Sequence, residues 1–210
     1  LEFRRVLFRS ARHPAATELA AAGVGFESFD DRYETAADFD ALYASIAVAV
    51  VAAAVAHGEV VYAVPGNPGV AERTVPMLRA EATRRGVAVS VLPGLSFVDL
   101  AWTRLGRDPM AGVHVVDAQD FVPAAAGRSG PMLIGHCTSP LVLSDLKVAL
   151  LDALPADTPV TVLQRLGLPD ESVHDVALED LDRAVEPDHL TSVFVDAGDR
   201  SVAGDVADLV

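Results

Sequence analysis

Val60-Val61-Tyr62-Ala63-Val64-Pro65-Gly66-Asn67-Pro68-Gly69-Val70-Ala71-Glu72-Arg73-Thr74-Val75 decides the fold. Val60 to Val64 is an apolar, β-rich run of the kind found in parallel sheets covered on both faces. Pro65 and Pro68 bracket a turn, and neither can donate a backbone hydrogen bond. Gly66 and Asn67 keep their amides and tolerate a left-handed φ. A loop at the carboxyl end of a parallel strand is where open α/β sheets bind ligands. On spacing alone this is an ordinary strand-to-helix turn.

Working outward, the pattern predicts helix 15–22, strand 24–29, helix 36–56, strand 59–64, helix 70–85, strand 88–92 and helix 96–105. Gly106-Arg107-Asp108-Pro109 breaks the alternation, which sets a domain boundary at about residue 108. Beyond it the strands are 113–117, 132–135, 159–163, 172–177 and 191–195, with one helix at 141–151. That is a smaller unit with mixed pairing.

The whole phrase resembles the YAVPGxP…AE.TV segment of the tetrapyrrole (corrin/porphyrin) methylase family. More narrowly, it resembles the methylase-like amino-terminal domain of MazG-type nucleoside triphosphate pyrophosphohydrolases. Arg12-His13-Pro14, Phe29-Asp30-Asp31-Arg32-Tyr33-Glu34, Gly94-Leu95-Ser96-Phe97-Val98-Asp99 and Leu166-Gly167-Leu168-Pro169-Asp170-Glu171 agree in order. The resemblance implies an α/β chain of two domains with a cofactor cleft between them, covering 11–108 and 109–197, and a linker starting in 198–210. Leu1 to Ser10 reads as a cloning or sequencing scar, the alternative being a basic amphipathic segment. The family opens with a strand and a GxGPG loop there, so the first strand is expected to be missing and the sheet edge unpaired.

The resemblance implies S-adenosylmethionine as the cofactor. Carried over by motif, Gly66, Asn67 and Pro68 line it, with Ser96 and Phe97 in the next βα loop and Gln164 near the adenine. A branched side chain at Gly66 is expected to project into the cleft. Characterised methylases usually carry an aspartate where this chain has Asn67, which loses a charge that could face the sulfonium. Methyl transfer is an in-line displacement driven by positioning, and no catalytic acid or base announces itself in the sequence.

Composition narrows the rest. The chain has 210 residues, 51% hydrophobic, and a net charge of −14. Residues 1–105 carry a net of −2 and residues 106–210 a net of −12. Such a surface repels nucleic acid. The apolar run ending at Gly58 is interrupted by Asp38 and Asp40, so it reads as a buried core helix and not a membrane span, with Thr35…Asp38 as a capping box. One cysteine, Cys137, excludes an internal disulfide and fits a cytoplasmic protein.

Other chemistries fall away. Gly94-Leu95-Ser96-Phe97-Val98 lacks the second glycine of a nucleophile elbow. The histidines show no metal-ligand spacing, and no P-loop or dinucleotide fingerprint occurs. His136-Cys137 reads as a loop after a buried strand, near the cleft, and not as a nucleophile pair. Arg12, Arg32 and Arg73 read as solvated or capping. The expected partners are a small-molecule methyl acceptor and a second copy of the chain as a homodimer. Two functions stay open: an S-adenosylmethionine-dependent methyltransferase, or a non-catalytic module regulating a fused MazG-type pyrophosphohydrolase. The carboxylate array of that hydrolase is not in the sequence, so it would lie beyond Val210 or in a partner.

Overall fold

The computed structural model describes residues 5–11, 14–121 and 130–196. Arg12 and His13 of the first expected motif, and the linker expected from residue 198, lie outside them. The chain divides into two compact units, Leu1–Ser96 and Phe97–Val210.

The first unit is built on a three-stranded parallel sheet of β1 (Val6–Phe8), β2 (Phe26–Ser28) and β3 (Val61–Ala63), in the order β2-β1-β3. Val6 sits opposite both Phe26 and Val61, so β1 is the middle strand. This corrects the expectation of a missing first strand. The triplet Val-Leu-Phe is β-prone, and all three residues are buried between the neighbours.

Helices α1 (Pro14–Ala21) and α2 (Asp30–Thr35) flank β2 in sequence, and α3 (Phe39–His57) and α4 (Thr74–Arg85) flank β3. Asp38 caps α3: its carboxylate accepts from the amides of Asp40 at 2.9 Å and Ala41 at 3.3 Å. The capping box expected at Thr35 is therefore displaced, and the Thr35 hydroxyl donates to the Asp31 carbonyl instead. Gly58 ends α3 at φ +87°, its amide donating to Ala54.

Leu42, Ile46, Ala47, Val50 and Val51 of α3 meet Leu7, Phe29, Leu78 and Ala82 in the core. Each such buried aliphatic contributes about 1.5–3 kcal/mol. The opposite side of α3 is solvent-facing, with Val48 and Val55 exposed. The helix is thus core on one stripe only, and Phe39 at its start is exposed. By length and composition it could cross a membrane.

Residues 88–92, expected to be a strand, form none: Val89, Val91 and Leu92 are exposed, with no ladder partner among the described residues. Alternating valines are compatible with a strand, but only a paired backbone makes one.

The second unit carries a mixed five-stranded sheet of β4 (His114–Asp117), β5 (Met132–Gly135), β6 (Pro159–Gln164), β7 (Ser172–Ala177) and β8 (Thr191–Val195), in the order β4-β5-β8-β6-β7. Only β4 and β5 pair in parallel; β8 runs antiparallel to both β5 and β6, and β7 antiparallel to β6. The carboxyl ends of β4, β5 and β6 therefore lie along one edge of the sheet.

Both faces are covered. Met132, Ile134, Val160, Val162, Val193 and Val195 pack under α6 (Pro140–Leu151) through Leu143, Leu146 and Leu150. On the other face Leu133, Leu163 and Phe194 meet Ala101 and Trp102 of α5 (Phe97–Leu105). Because α5 supplies this layer, the second unit begins at Phe97 rather than near residue 108.

The turn after β6 is tied to α5. Arg104 of α5 donates through Nη2 to Glu171 at 3.0 Å, and also through Nε. The Gly167 amide donates to the same carboxylate at 2.6 Å. The Leu166–Glu171 phrase is thus a structural clasp. The Arg104 hydrogen bonds, with the Gly167 amide, hold the Glu171 carboxyl below its ordinary range. A depressed carboxyl contributes stability above its unfolded value of about 4.3 and loses it as pH falls through the folded value. Denaturant titrations between about pH 6 and pH 3 should show the parent losing more stability on acidification than Glu171→Gln, which lacks this group.

Candidate functional site

At the carboxyl end of β3 the chain turns through Val64-Pro65-Gly66-Asn67-Pro68. Gly66 is exposed and sits at φ +70°, in the left-handed region open to glycine. The next loop, Pro93-Gly94-Leu95-Ser96, lies directly against it. A Cβ at Gly94 would stand 2.4 Å from the Gly66 carbonyl oxygen, so only a bare backbone allows the two loops to touch. A Cβ at Gly66 would lie 3.4 Å from the Leu95 carbonyl oxygen and 3.8 Å from Ser96 Cα. These are ordinary van der Waals separations, so the cost of a side chain at Gly66 comes from its positive φ.

Asn67 fastens the junction. Its Nδ2 donates to the Gly94 carbonyl at 2.9 Å, and its Oδ1 accepts from the Gly69 amide at 2.8 Å. A carboxylate could do the second but not the first, since it has no proton to donate. Asparagine at this position therefore does more than substitute for an aspartate: it joins the two loops. Gly66, Asn67 and Ser96 are thus brought together within the first unit; Pro68 is half-buried beside them and Ser96 is buried.

Behind the first loop, Glu72 is buried at the approach to α4. It accepts from the Thr74 amide at 3.3 Å and pairs with Arg9 at 3.3 Å. A buried carboxylate needs such partners. The Tyr62 phenol is pushed up by burial and by the Glu72 charge, and stays protonated. Arg32 reaches the Ser45 carbonyl at 3.4 Å and lies over the Phe29 ring, while Arg73 pairs with Asp40 at 3.6 Å.

The remaining expected residues belong to the second unit. Phe97 opens α5, and its ring packs on the end of β5: a Cβ at Gly135 would meet Phe97 Cζ at 3.0 Å. Gln164 is 8% exposed. Its Nε2 donates to the Glu186 carbonyl at 3.0 Å and to Thr191 Oγ1 at 3.1 Å, and its Oε1 accepts from Ser172 at 3.4 Å. The amide group is thereby committed to joining β6, β7 and β8.

The same edge holds residues that the sequence reading did not select. His136 follows β5 at φ +57° and Arg165 follows β6 at φ +52°. A left-handed non-glycine residue costs about 1–3 kcal/mol unless its surroundings hold it there. Arg165 is held by Asp188 at 2.7 Å and Asp170 at 2.9 Å. His136 Nδ1 lies 2.8 Å from Asp117 Oδ2, at the end of β4. Beside it Cys137 is fully buried, and burial together with the Asp117 charge pushes its thiol up to about 12. It is therefore a neutral core group, whereas the sequence reading places it in a loop near the cleft. The available signal was a histidine and an aspartate each at a strand end; their pairing needed the sheet order.

The first unit's loops suit a ligand with polar ends. They expose bare peptide at a strand's carboxyl end, in a junction that side chains would fill. No group of three or more metal-ligating side chains occurs among the described residues.

The chain belongs to the tetrapyrrole (corrin/porphyrin) methylases, whose family model matches residues 4–182. Among individual proteins, it is 35% identical over 187 residues to the uncharacterized protein YabN of Bacillus subtilis strain 168. That match takes in 89% of this chain and 38% of the relative, so the chain spans well under half of the relative's length. A uroporphyrin-III C-methyltransferase structure from Thermus thermophilus superposes with a TM-score of 0.69 at 24% identity, over 100% of this chain and 88% of that one. A second structure of that name and organism, complexed with S-adenyl homocysteine, gives 0.69 at 18% identity, over 93% and 86%. The chain has the tetrapyrrole methylase fold.

Gly94→Ala should cost more than Gly66→Ala despite the positive φ at Gly66. The first forces backbone atoms apart, whereas the second adds only strain of about 1–2 kcal/mol. Thermal unfolding of both variants checks the order.

Proposed function

We propose that this chain is an S-adenosylmethionine-dependent methyltransferase domain acting on a small-molecule acceptor. The observation that carries the reading is the Gly66–Gly94 junction, fastened by Asn67 at the carboxyl end of β3. It leaves exposed peptide groups where a zwitterionic amino-acid end and a ribose could be received without charged side chains. When bound, the cofactor supplies an electrophilic methyl group on a sulfonium. Gly66, Asn67, Pro68 and Ser96 of the first unit are the residues we assign to its contacts, and Phe97 and Gln164 are carried over as cofactor residues from the family resemblance alone. Phe97 offers a ring face; Gln164 contributes by fixing the ends of β6 and β8. We place the protein in the cytoplasm, supported by its single buried cysteine. We propose a homodimer as its working form, supported by the exposed apolar side of α3.

One observation favours a second reading. The match takes in 38% of the relative YabN, so in that protein the matching part is one module of a longer chain. In that reading it regulates a fused catalytic domain, such as a MazG-type pyrophosphohydrolase, and binds the cofactor without using it.

Isothermal titration of the folded protein with S-adenosylmethionine tests the first reading. Saturable binding below about 1 mM, a free energy of roughly −4 kcal/mol or better, is expected. No heat at millimolar cofactor, with a native circular-dichroism spectrum, would exclude both the enzyme and the cofactor-sensing module.

A further inference from the structure

We propose that His136, held by Asp117, is the proton-accepting residue of a methyl-acceptor subsite at the carboxyl edge of β4 and β5. The proposal rests on the methyltransferase reading above and names the acceptor class: a molecule that must shed a proton as its nucleophilic atom is methylated.

The geometry is that of an oriented base. Asp117 Oδ2 lies 2.8 Å from His136 Nδ1, while Asp117 Oδ1 accepts from the Gln119 amide at 2.9 Å, so the carboxylate is fixed on both oxygens. A carboxylate on Nδ1 selects the tautomer with the proton there and the lone pair on Nε2. Nε2 has no partner among the described residues, and the His136 side chain is 37% exposed. Among the described residues, Asp117 is the charged group in contact with the ring.

The backbone supports a functional reading. His136 occupies a left-handed φ of +57° that glycine would adopt without strain. The strain is imposed by its surroundings: the Thr138 amide donates to the His136 carbonyl at 2.8 Å, and the Cys137 amide donates to the Thr191 carbonyl at 3.1 Å. Strained residues held in place at strand ends cluster at functional sites. Phe97, assigned to the cofactor, packs on Gly135, the residue before His136.

The step balances. The acceptor's nucleophilic atom forms a bond to the methyl carbon as the carbon–sulfur bond breaks, the electron pair of that bond staying on sulfur, which becomes a neutral thioether. The proton leaving the acceptor passes to His136 Nε2. The protonated ring, still held at Nδ1 by Asp117, then returns the proton to water. Asp117 is a positioning residue in this scheme.

Two measurements on the whole chain test it without knowledge of the acceptor. Thermal unfolding of His136→Gly should give a midpoint at or above the parent's, because relief of strain offsets the lost hydrogen bond. A fall of more than about 5 °C would make the pair a structural clamp and overturn the proposal. Carbethoxylation by diethyl pyrocarbonate, mapped by mass spectrometry, should be fast at His136 in the parent and markedly slower in Asp117→Asn. Equal rates, or an unreactive His136, would overturn it. Titration with S-adenosylhomocysteine runs alongside on the parent and His136→Gln, and both should bind alike. Binding with an unreactive His136 sinks this proposal alone. Absence of binding by the parent sinks the methyltransferase reading and the acceptor role together.

Discussion

Contact between two backbones, Gly94 against the carbonyl of Gly66, is the constraint on which the first unit's functional edge depends. It has no side-chain substitute, since a Cβ at Gly94 would stand only 2.4 Å from the Gly66 carbonyl oxygen. Glycine at position 94 permits the approach, glycine at 66 supplies the left-handed turn, and Asn67 makes the contact favourable by donating to one loop and accepting within the other. Net hydrogen-bond contributions of this kind are about 0.5–1.5 kcal/mol each, small beside the core. Their importance is geometric: they set where the peptide groups face, and a ligand with polar ends is recognised by such placement more than by charge.

The second unit meets a different requirement. Its β5 is buried on both faces, with Met132 and Ile134 under α6 and Leu133 under α5. A strand covered on both sides cannot carry polar side chains along its length, so polar chemistry is displaced to its end. There His136 and Arg165 take left-handed backbones, each fixed by carboxylates, and the buried amide of Gln164 joins three strands. The acidic excess of this half is partly consumed in such pairs, including Asp182 with Lys147 at 2.7 Å. The hydrogen bond from Lys147 lowers the Asp182 carboxyl despite its partial burial.

Where local chemistry decides structure, the sequence was readable. Met132–Gly135, Ser172–Ala177 and Thr191–Val195 stand where the apolar runs and their polar borders put them. Gly58 stops α3 as a glycine should. Where partners decide, it was not. Val6–Phe8 lies among arginines, and only its neighbours β2 and β3 show that it is the centre of a sheet. Residues 88–92 have a strand's alternation without a strand's partner. The role of Asn67 depends on a carbonyl 27 positions away, and the Asp117–His136 pair on two strands being adjacent. The family was legible in the ordered phrases from Val60 to Glu171; the proton acceptor was not, because neither residue belongs to any of them.

Amide hydrogen exchange, followed with and without S-adenosylhomocysteine, tests the central claim most directly: that the glycine junction receives the cofactor. Slowed exchange in peptides covering Pro65–Gly69 and Gly94–Phe97, with the outer face of α3 unchanged, is the predicted result. Saturable binding that leaves both loops at their free rates would contradict it, and would move the cofactor away from Gly66 and Gly94.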